Sequence, residues 1–503
     1  MSTKEKNRFS LLLDKLIHTA QVKHSILAND LTYDASYISK WISGKLPSAK
    51  TEKQVMEGIA HCIITNGSEE GLAILLQDYL VTSIEDLEIA IYDNLMAECT
   101  YARNVQQDNE NNLNAKTLYF PKLDMRQYIQ KMHHPVLRRV KSLEIMAIMD
   151  LMAMDREYRM EIARIEDAAT SQKLNYPGVH FSMVINLDSI QRDYVYDTVF
   201  LLNMLTDMTC VDFRLYGSRN AYGRAVFAVK DEFSIAAMLT HNQKCLSVVV
   251  SEEENTANIH YHTIMSLCNR ERLLLRQMKM EEMLRGSEYA RSLIAPNQRM
   301  LFGHMTEHFL SASLLEEIIE SFHGQNRTNI TADQLQWVHA LSARRFQEQP
   351  VQIMFYESAL SEFAVNGELD FYNMKIHLTP AQRLEYLRHL QQLMEEYTNI
   401  EVRLIYGSLF SDFQYHANQC ILLSDGTSFL RLVGQGNLNG LYSINHVKMH
   451  AVFDCFYDEV WENAQGVVIS DRETVLSYIE HIVQQAEMIA RLESRSSQNM
   501  EST

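Results

Sequence analysis

Proline and glycine are both scarce in this chain, at 7 and 17 of 503 residues. Few ready-made turns or flexible linkers are therefore available, and a mostly helical protein is expected. No eighteen apolar residues run together, so no membrane span is expected. The first residues, Met1 to Arg8, have no apolar core behind them, so no secretory leader is expected either. The seven cysteines (Cys62, Cys99, Cys210, Cys245, Cys268, Cys420 and Cys455) are scattered, with no C-x-x-C pair. That pattern argues against a disulfide framework and against a zinc site, and it fits a reducing cytoplasm. The P-loop, the G-x-G-x-x-G fingerprint, H-E-x-x-H and G-x-S-x-G are all missing. No cofactor is expected, no metal is expected, and the chain is not read as an enzyme.

What the chain does contain is apolar material. At 46% hydrophobic residues it can fill several cores, and its length suggests roughly three or four domains. Its 26 methionines read as flexible core filling in preference to a methionine-rich binding groove. The net charge of −18 argues against nucleic-acid binding only until it is divided by region. Residues 1–60 carry nine basic and six acidic side chains, a net of +3, which leaves −21 for the remainder. A mildly basic head on an acidic body suits DNA contact through the head alone, because the body repels phosphate.

Phe9 to Thr19 reads as an amphipathic helix, with Leu12, Leu13, Leu16 and Ile17 at helical spacing. A second helix spans Lys23 to Asp30 and turns Ile26, Leu27 and Ala28 inward. Leu31 to Tyr33 makes a turn. Asp34 then caps a third helix over 35–43, which Gly44 stops, with Pro47 three residues beyond. A fourth helix, from Glu52 to about Ile64, supplies Val55, Met56, Ile59 and Ala60 to the same small core.

Three stretches, Ile26-Leu27-Ala28, Ser36-Tyr37-Ile38-Ser39-Lys40-Trp41 and Gly44-Lys45-Leu46-Pro47-Ser48, resemble the XRE-type, lambda-repressor-like helix-turn-helix family. The resemblance covers about 55 residues, roughly a tenth of the chain. It implies that the third helix is a recognition helix and that the Gly-Lys-x-Pro-Ser stretch leads to the next helix. Two positions depart from the family: His24 stands where Gln is common, and Ile42 where Glu is common. The first puts one phosphate contact in doubt, and the second marks a surface for burial against the rest of the chain. A recognition helix reads the major groove with short polar residues of its first turns. Ala35, Ser36, Tyr37, Ser39 and Lys40 are the candidates for that role, and Lys23, His24, Lys40 and Lys45 for phosphate contacts. The alternative is a helical module for protein contacts with these residues merely solvated.

Helical patterning continues through Gly71–Leu80 and Ile84–Ala97, and the polar stretch Asn104–Asn114 reads as a linker. The methionine-rich segment Met146–Met154 reads as a core helix. Beyond about residue 175 the texture becomes mixed, and an internal repeat is expected. Strand Phe181–Leu187, a helix from about Arg192 to Met208 and strand Phe213–Ser218 match strand Phe371–Leu378, a helix from about Pro380 to Tyr397 and strand Val402–Ser408. Both second strands close on Tyr-Gly-Ser, at Tyr216 and at Tyr406. Strands Ala225–Val229 and Leu246–Val250 match Cys420–Leu423 and Leu441–Ile444. Each copy closes on a helix, at about His262–Arg285 and about Ala451–Asn463. The fold expected is mainly α with α/β modules: a helix-turn-helix domain of four or five helices over 1–65, a helical connector over 66–174, α/β copies over 175–285 and 351–470 separated by a helical spacer over 286–350, and a C-terminal helix and tail over 471–503.

The nearest approach to a catalytic motif is His446-Val-Lys448 followed by Asp454. It resembles the His-x-Lys-x-x-x-x-Asp signature of phospholipase-D-like enzymes, with the Asp one residue too far along and Phe453 in its place. The first copy offers only His260-Tyr-His262. The copies therefore resemble inactive, sensor-type versions of that fold. His133-His134 and His260/His262 lack a Cys or carboxylate at ligand spacing. Tyr216, Ser218, Tyr406 and Ser408 are candidates for a small-molecule pocket, against the plainer reading of strand-ending turns. The function expected is a cytoplasmic, sequence-specific regulator of transcription, such as a repressor, that binds double-stranded DNA as a homodimer. Its C-terminal body would serve oligomerisation or the sensing of a small-molecule or peptide effector. The alternatives are a phosphodiesterase-like enzyme and a protein-interaction adaptor, each targeted by the same head.

Overall fold

The computed structural model describes residues 6–79, 81, 83–111, 116–132, 134–138, 142–163, 178–189, 193–240, 244–323, 330–409, 419–433, 439–462 and 466–501. His133, part of the linker reading at 112–114, and residues 502–503 lie outside these; the Ser-rich tail expected after Arg491 is helical through Glu501. The chain forms two compact units, one from residues 1–189 and 210–271, the other from 190–209 and 272–503.

Unit one begins with helices α1 (Arg8–Ala20), α2 (His24–Asp30), α3 (Ala35–Ile42), α4 (Glu52–Asn66), α5 (Glu69–Tyr79) and α6 (Ile84–Asn111). Their apolar stripes meet in one core: Phe9, Leu13, Leu27, Ile38, Met56, Ile59 and Ile91 are all fully buried. Asn7 caps α1 by accepting from Ser10 N at 2.9 Å, and Asp34 caps α3 by accepting from Ser36 N at 2.8 Å. Helix α6 continues to Asn111, so most of the expected linker is helical. Polar composition alone does not stop a helix that lacks Gly and Pro.

An α/β layer follows: β1 (Thr117–Asp124), α7 (Met125–Met132), β2 (Leu143–Met149), α8 (Arg156–Ala163), β3 (Val179–Ile185), α9 (Tyr194–Asp207), β4 (Asp212–Gly217), β5 (Arg224–Val229), β6 (Phe233–Thr240), β7 (Lys244–Ser251) and α10 (Glu254–Cys268). The seven strands form one sheet in the order β1-β7-β6-β5-β2-β3-β4. The expected helix at Met146–Met154 is instead the end of β2 followed by a 3-10 turn at Leu151–Ala153, and β2 lies between β3 (parallel) and β5 (antiparallel). A strand covered on both faces is apolar throughout, so it lacks the alternation that would separate it from a buried helix.

Unit two contains β8 (Arg276–Gln277), α11 (Met280–Arg285), α12 (Ser287–Ile294), β9 (Gln298–Phe302), α13 (Ala312–His323), α14 (Ala332–Glu348), β10 (Val351–Tyr356), α15 (Glu357–Asn366), β11 (Glu368–Phe371), β12 (Met374–His377), α16 (Pro380–Glu396), β13 (Ile400–Ile405), β14 (Gln419–Leu423), β15 (Ser428–Val433), β16 (Asn439–Ile444), α17 (Val447–Trp461), β17 (Val468–Ile469) and α18 (Arg472–Glu501). Capping boxes at Thr331/Gln334 and Thr379/Gln382 start α14 and α16. The eight-stranded sheet runs β17-β13-β10-β9-β14-β15-β16-β8.

The repeat is present as topology. Strands β4-β3-β2-β5-β6-β7-β1 and β13-β10-β9-β14-β15-β16-β8 share order and strand direction. The Tyr-Gly-Ser segments fall at equivalent places, after β4 and β13. The expected partner of Phe181–Leu187 does not: Phe371–Leu378 belongs to the separate hairpin β11–β12, and the counterpart of β3 is β10. The stretch read as a helical spacer holds β9, the first strand of its sheet's parallel set. The closing helix expected at 262–285 is three elements, α10, β8 and α11. Strands β6 and β15 have no counterpart in the sequence reading. Finally, α9 follows β3 in the chain yet belongs to unit two, and Val195–Thr206 is buried at every position.

Candidate nucleic-acid interface

Helix α3 is eight residues long and buries one side through Ile38 (0% exposed) and Trp41 (3%). Its other side faces outward. Ala35, Ser36, Tyr37, Ser39 and Lys40 are exposed, as are Lys23, His24 and Lys45, so all eight sequence-selected residues are solvent-accessible. Lys23 is the N-cap residue of α2, His24 begins that helix, and Lys45 follows the turn at Gly44, whose φ is +106°. The Lys40 ammonium lies 4.8 Å from the centre of the Tyr37 ring, which also meets Tyr33 edge-on at 5.5 Å. The Ser39 hydroxyl donates to Ala35 O at 3.2 Å, which leaves its oxygen free to accept. At the start of α3, the backbone N–H and hydroxyl of Ser36 hold the Asp34 carboxyl below its ordinary range.

Residues outside the sequence selection hold this helix in place. Ser10 Oγ in α1 donates to Trp41 O at 2.6 Å, and Asn7 Nδ2 donates to Gly44 O at 2.9 Å. Arg103 of α6 donates to Pro47 O and pairs with Glu52, both at 2.8 Å. Arg8 pairs with Glu232 in the β5–β6 turn at 2.8 Å. Their only sequence signal is polar character on an otherwise buried face. Ile42, expected to be covered, is half-buried.

The weaker candidates are dispersed. His446 is the N-cap residue of α17, two turns before Asp454 on the same helix. Asp454 is engaged elsewhere, with Arg299 at 2.5 Å and with His450 Nδ1 at 2.7 Å. His134 is buried, stacked on Phe233 at 4.2 Å, and burial lowers its pKa. His260 contacts Ser234 Oγ at 2.9 Å, and His262 meets Tyr261 edge-on. No group of three or more His, Cys, Asp or Glu side chains suited to a metal occurs among the described residues. Ser218 Oγ donates to Glu271 at 2.7 Å, Tyr216 packs on the core around Val184, and Tyr406 is exposed.

Unit two contains a buried ionic cluster that sequence reading missed. Arg431, on β15, makes a two-pronged pair with Glu307, 2.6 Å at each contact, and its side chain is 1% exposed. Glu307 also accepts from Tyr372 N at 3.1 Å. Beside it, His304 Nε2 lies 3.1 Å from Asp370 Oδ2 and 3.4 Å from Cys420 Sγ. Burial opposes protonation of His304, yet its Cys420 and Asp370 neighbours raise its pKa above the ordinary value.

No described helix is long and apolar enough to cross a membrane. No family model matches the chain, and comparison with curated proteins finds no relative. Among solved structures, it is similar to one described as "Structure of TrmBL2, an archaeal chromatin protein, shows a novel mode of DNA binding". Identity is 10%, the match spans 52% of this chain and 98% of that one, and the TM-score is 0.22, too low to carry an argument about fold or function.

Proposed function

We propose that α2, the turn after it and α3 are an XRE-type helix-turn-helix, and that the protein is a sequence-specific, DNA-binding regulator of transcription. The observation that carries this reading is the division of α3. Ile38 and Trp41 anchor it in the helical core, while Ala35, Ser36, Ser39 and Lys40 form a small-featured, polar and basic outer side. Small side chains let a helix approach base edges closely, and lysines around it neutralise phosphate. Lys23, Lys40, Lys45 and Lys50 have no ion pair among the described residues, so their charge is available to phosphate.

One short helix reads few base pairs, so the reading includes a homodimer that sets two heads on half-sites a helical turn apart. The C-terminal α/β body would carry dimerisation or effector sensing. Catalysis is not part of the proposal: the Asp454 carboxylate that a phosphodiesterase motif would need is neutralised by Arg299 and His450.

Selection from a random DNA library with the full-length protein tests the reading, alongside a variant carrying Ser36→Ala, Tyr37→Ala and Lys40→Ala. The expected result is a compact, two-fold site lost in the variant. Absence of enrichment, or enrichment that survives the substitutions, sinks it and favours the adaptor. Phosphodiester hydrolysis lost on changing His446 would favour the enzyme.

A further inference from the structure

The two large sheets have four edges, and three of them are protected against further pairing. In unit one β1 carries Pro121, which has no N–H to donate; in unit two β8 and β17 are two residues long. The fourth edge is β4, six residues without proline, paired to β3 on one side. Among the described residues no strand lies on its other side. Its counterpart in unit two, β13, is covered there by β17, with Leu404 opposite Ile469 and Ile405 opposite Val468. One position of the repeat is therefore closed by the chain itself in unit two and open in unit one.

The pairing with β3 fixes which groups of β4 face outward. Ser218 N donates to Ile185 O at 2.9 Å, and the strands run parallel from His180 opposite Asp212 to Ile185 opposite Gly217. Backbone groups alternate sides along a strand, so Asp212, Arg214 and Tyr216 turn their N–H and C=O toward β3. Phe213 and Leu215 turn theirs outward. Side chains alternate between the two faces of the sheet. Phe213 and Leu215 are buried on one face, while Asp212 and Arg214 share the other, where the Arg214 side chain is 56% exposed. Arg214 lies 3.1 Å from Asp212, which also meets His180 at 2.8 Å.

We infer that β4 is a dimer interface, to which a second copy of this chain adds its own β4, antiparallel, across a two-fold axis at Phe213. Three registers centred on this strand join outward-facing groups by hydrogen bonds. Phe213 opposite Leu215 sets Arg214 against Arg214, which repels. Leu215 opposite itself leaves Asp212 and Arg214 unmatched across the interface. Phe213 opposite itself sets Asp212 of each copy against Arg214 of the other, at non-hydrogen-bonded positions where side chains come closest. Charge thus selects that register, and two-fold symmetry makes the contact twice. The inference rests on the homodimer in the proposed function and names its interface. Its test contains no DNA, so its failure leaves the DNA-binding reading standing.

Analytical sedimentation of the full-length protein at micromolar concentration and low salt tests it. A dimer is expected. Arg214→Glu, at an exposed position, sets acidic side chains opposite each other and should weaken the dimer about tenfold or more. Asp212→Lys sets lysine against arginine and should act in the same direction. Mixing the two variants restores both opposite-charge pairs, so a mixed dimer should form with near-parental affinity. Thermal unfolding reports whether each variant folds; if Asp212→Lys does not, Arg214→Glu decides alone. A monomeric parent overturns the inference, as does a dimer that Arg214→Glu leaves unchanged. Two folded variants that fail to associate when mixed overturn it as well.

Discussion

Arg431 and Glu307 are joined by two contacts of 2.6 Å in the interior of unit two, 124 residues apart in sequence. Arg431 is the largest fully buried side chain among the described residues. Removing one member leaves the other as an uncompensated buried charge, a loss of about 3–5 kcal/mol. Arg431→Met or Glu307→Gln alone should therefore lower the denaturant midpoint strongly. The double variant should lose less than the sum of the two, as an equilibrium unfolding cycle would report.

The same pair makes unit two acid-sensitive. Burial alone would raise the Glu307 carboxyl above its ordinary 4.5, but the Arg431 guanidinium outweighs it and holds the group at about 2. The folded value is depressed, so this stabilisation is complete above about 4.5 and lost as pH falls toward about 2. The stability gap between the parent and Glu307→Gln should narrow steadily from pH 5 to pH 3. A gap that stays constant over that range would contradict the assignment.

In the turn between α2 and α3, Thr32 has φ +56°, the left-handed region that a β-branched residue rarely adopts. Its side chain is exposed, so little packing offsets the strain. Thr32→Gly should stabilise the head by about 0.5–1 kcal/mol, strain relief exceeding the added unfolded-state entropy. A lower melting temperature in this variant would count against the turn geometry.

Gly71 lies in the first turn of α5 against α1, where an added Cβ would stand 2.4 Å from Thr19 O and 2.8 Å from Ala20 Cα. Both are backbone atoms that cannot rotate away. Gly71→Ala, ordinarily favourable in a helix, should instead cost about 1–3 kcal/mol by pushing α5 off α1. Thermal or urea unfolding of the variant measures this, and a neutral effect would mean the two helices are looser than described.

Lysines around α3 should act through phosphate rather than sequence. Lys40→Ala and Lys45→Ala should each lower the slope of log affinity against log salt by about 0.9 while leaving the preferred site unchanged. Ser36→Ala should do the reverse, relaxing preference at one base pair and sparing the salt slope. A binding assay across salt concentrations, on the selected site and on a scrambled duplex, separates the two behaviours.

The head was legible because its determinants are local. Asp34 as cap, Gly44 as stop and apolar residues every three or four positions fix α1–α4 nearly to the residue, and they leave the eight selected side chains outside by elimination. The repeat was legible at β4/β13, β5/β14 and β7/β16 for a similar reason: short apolar runs bounded by turns. Where a strand lies between two others and is covered on both faces, as β2 does, periodicity carries no label, and Leu143–Met149 reads equally as helix.

What the tertiary structure alone decided is pairing over distance. The sequence contains Arg431, Asp370, Cys420 and the pair His304 and Glu307 as separate letters on four segments. Only the sheet, placing β9 beside β14 and fastening β11 to the segment after β9, converts them into one buried charged cluster. The fate of α9 is of the same kind. Its apolar side chains on every face demand complete burial, but composition cannot say which unit supplies the cover, and here it is unit two. Local sequence sets the conformation of each segment, through caps, propensity and pattern. Which charges meet, and which helix covers which sheet, depends on the lowest free energy of the whole packed chain.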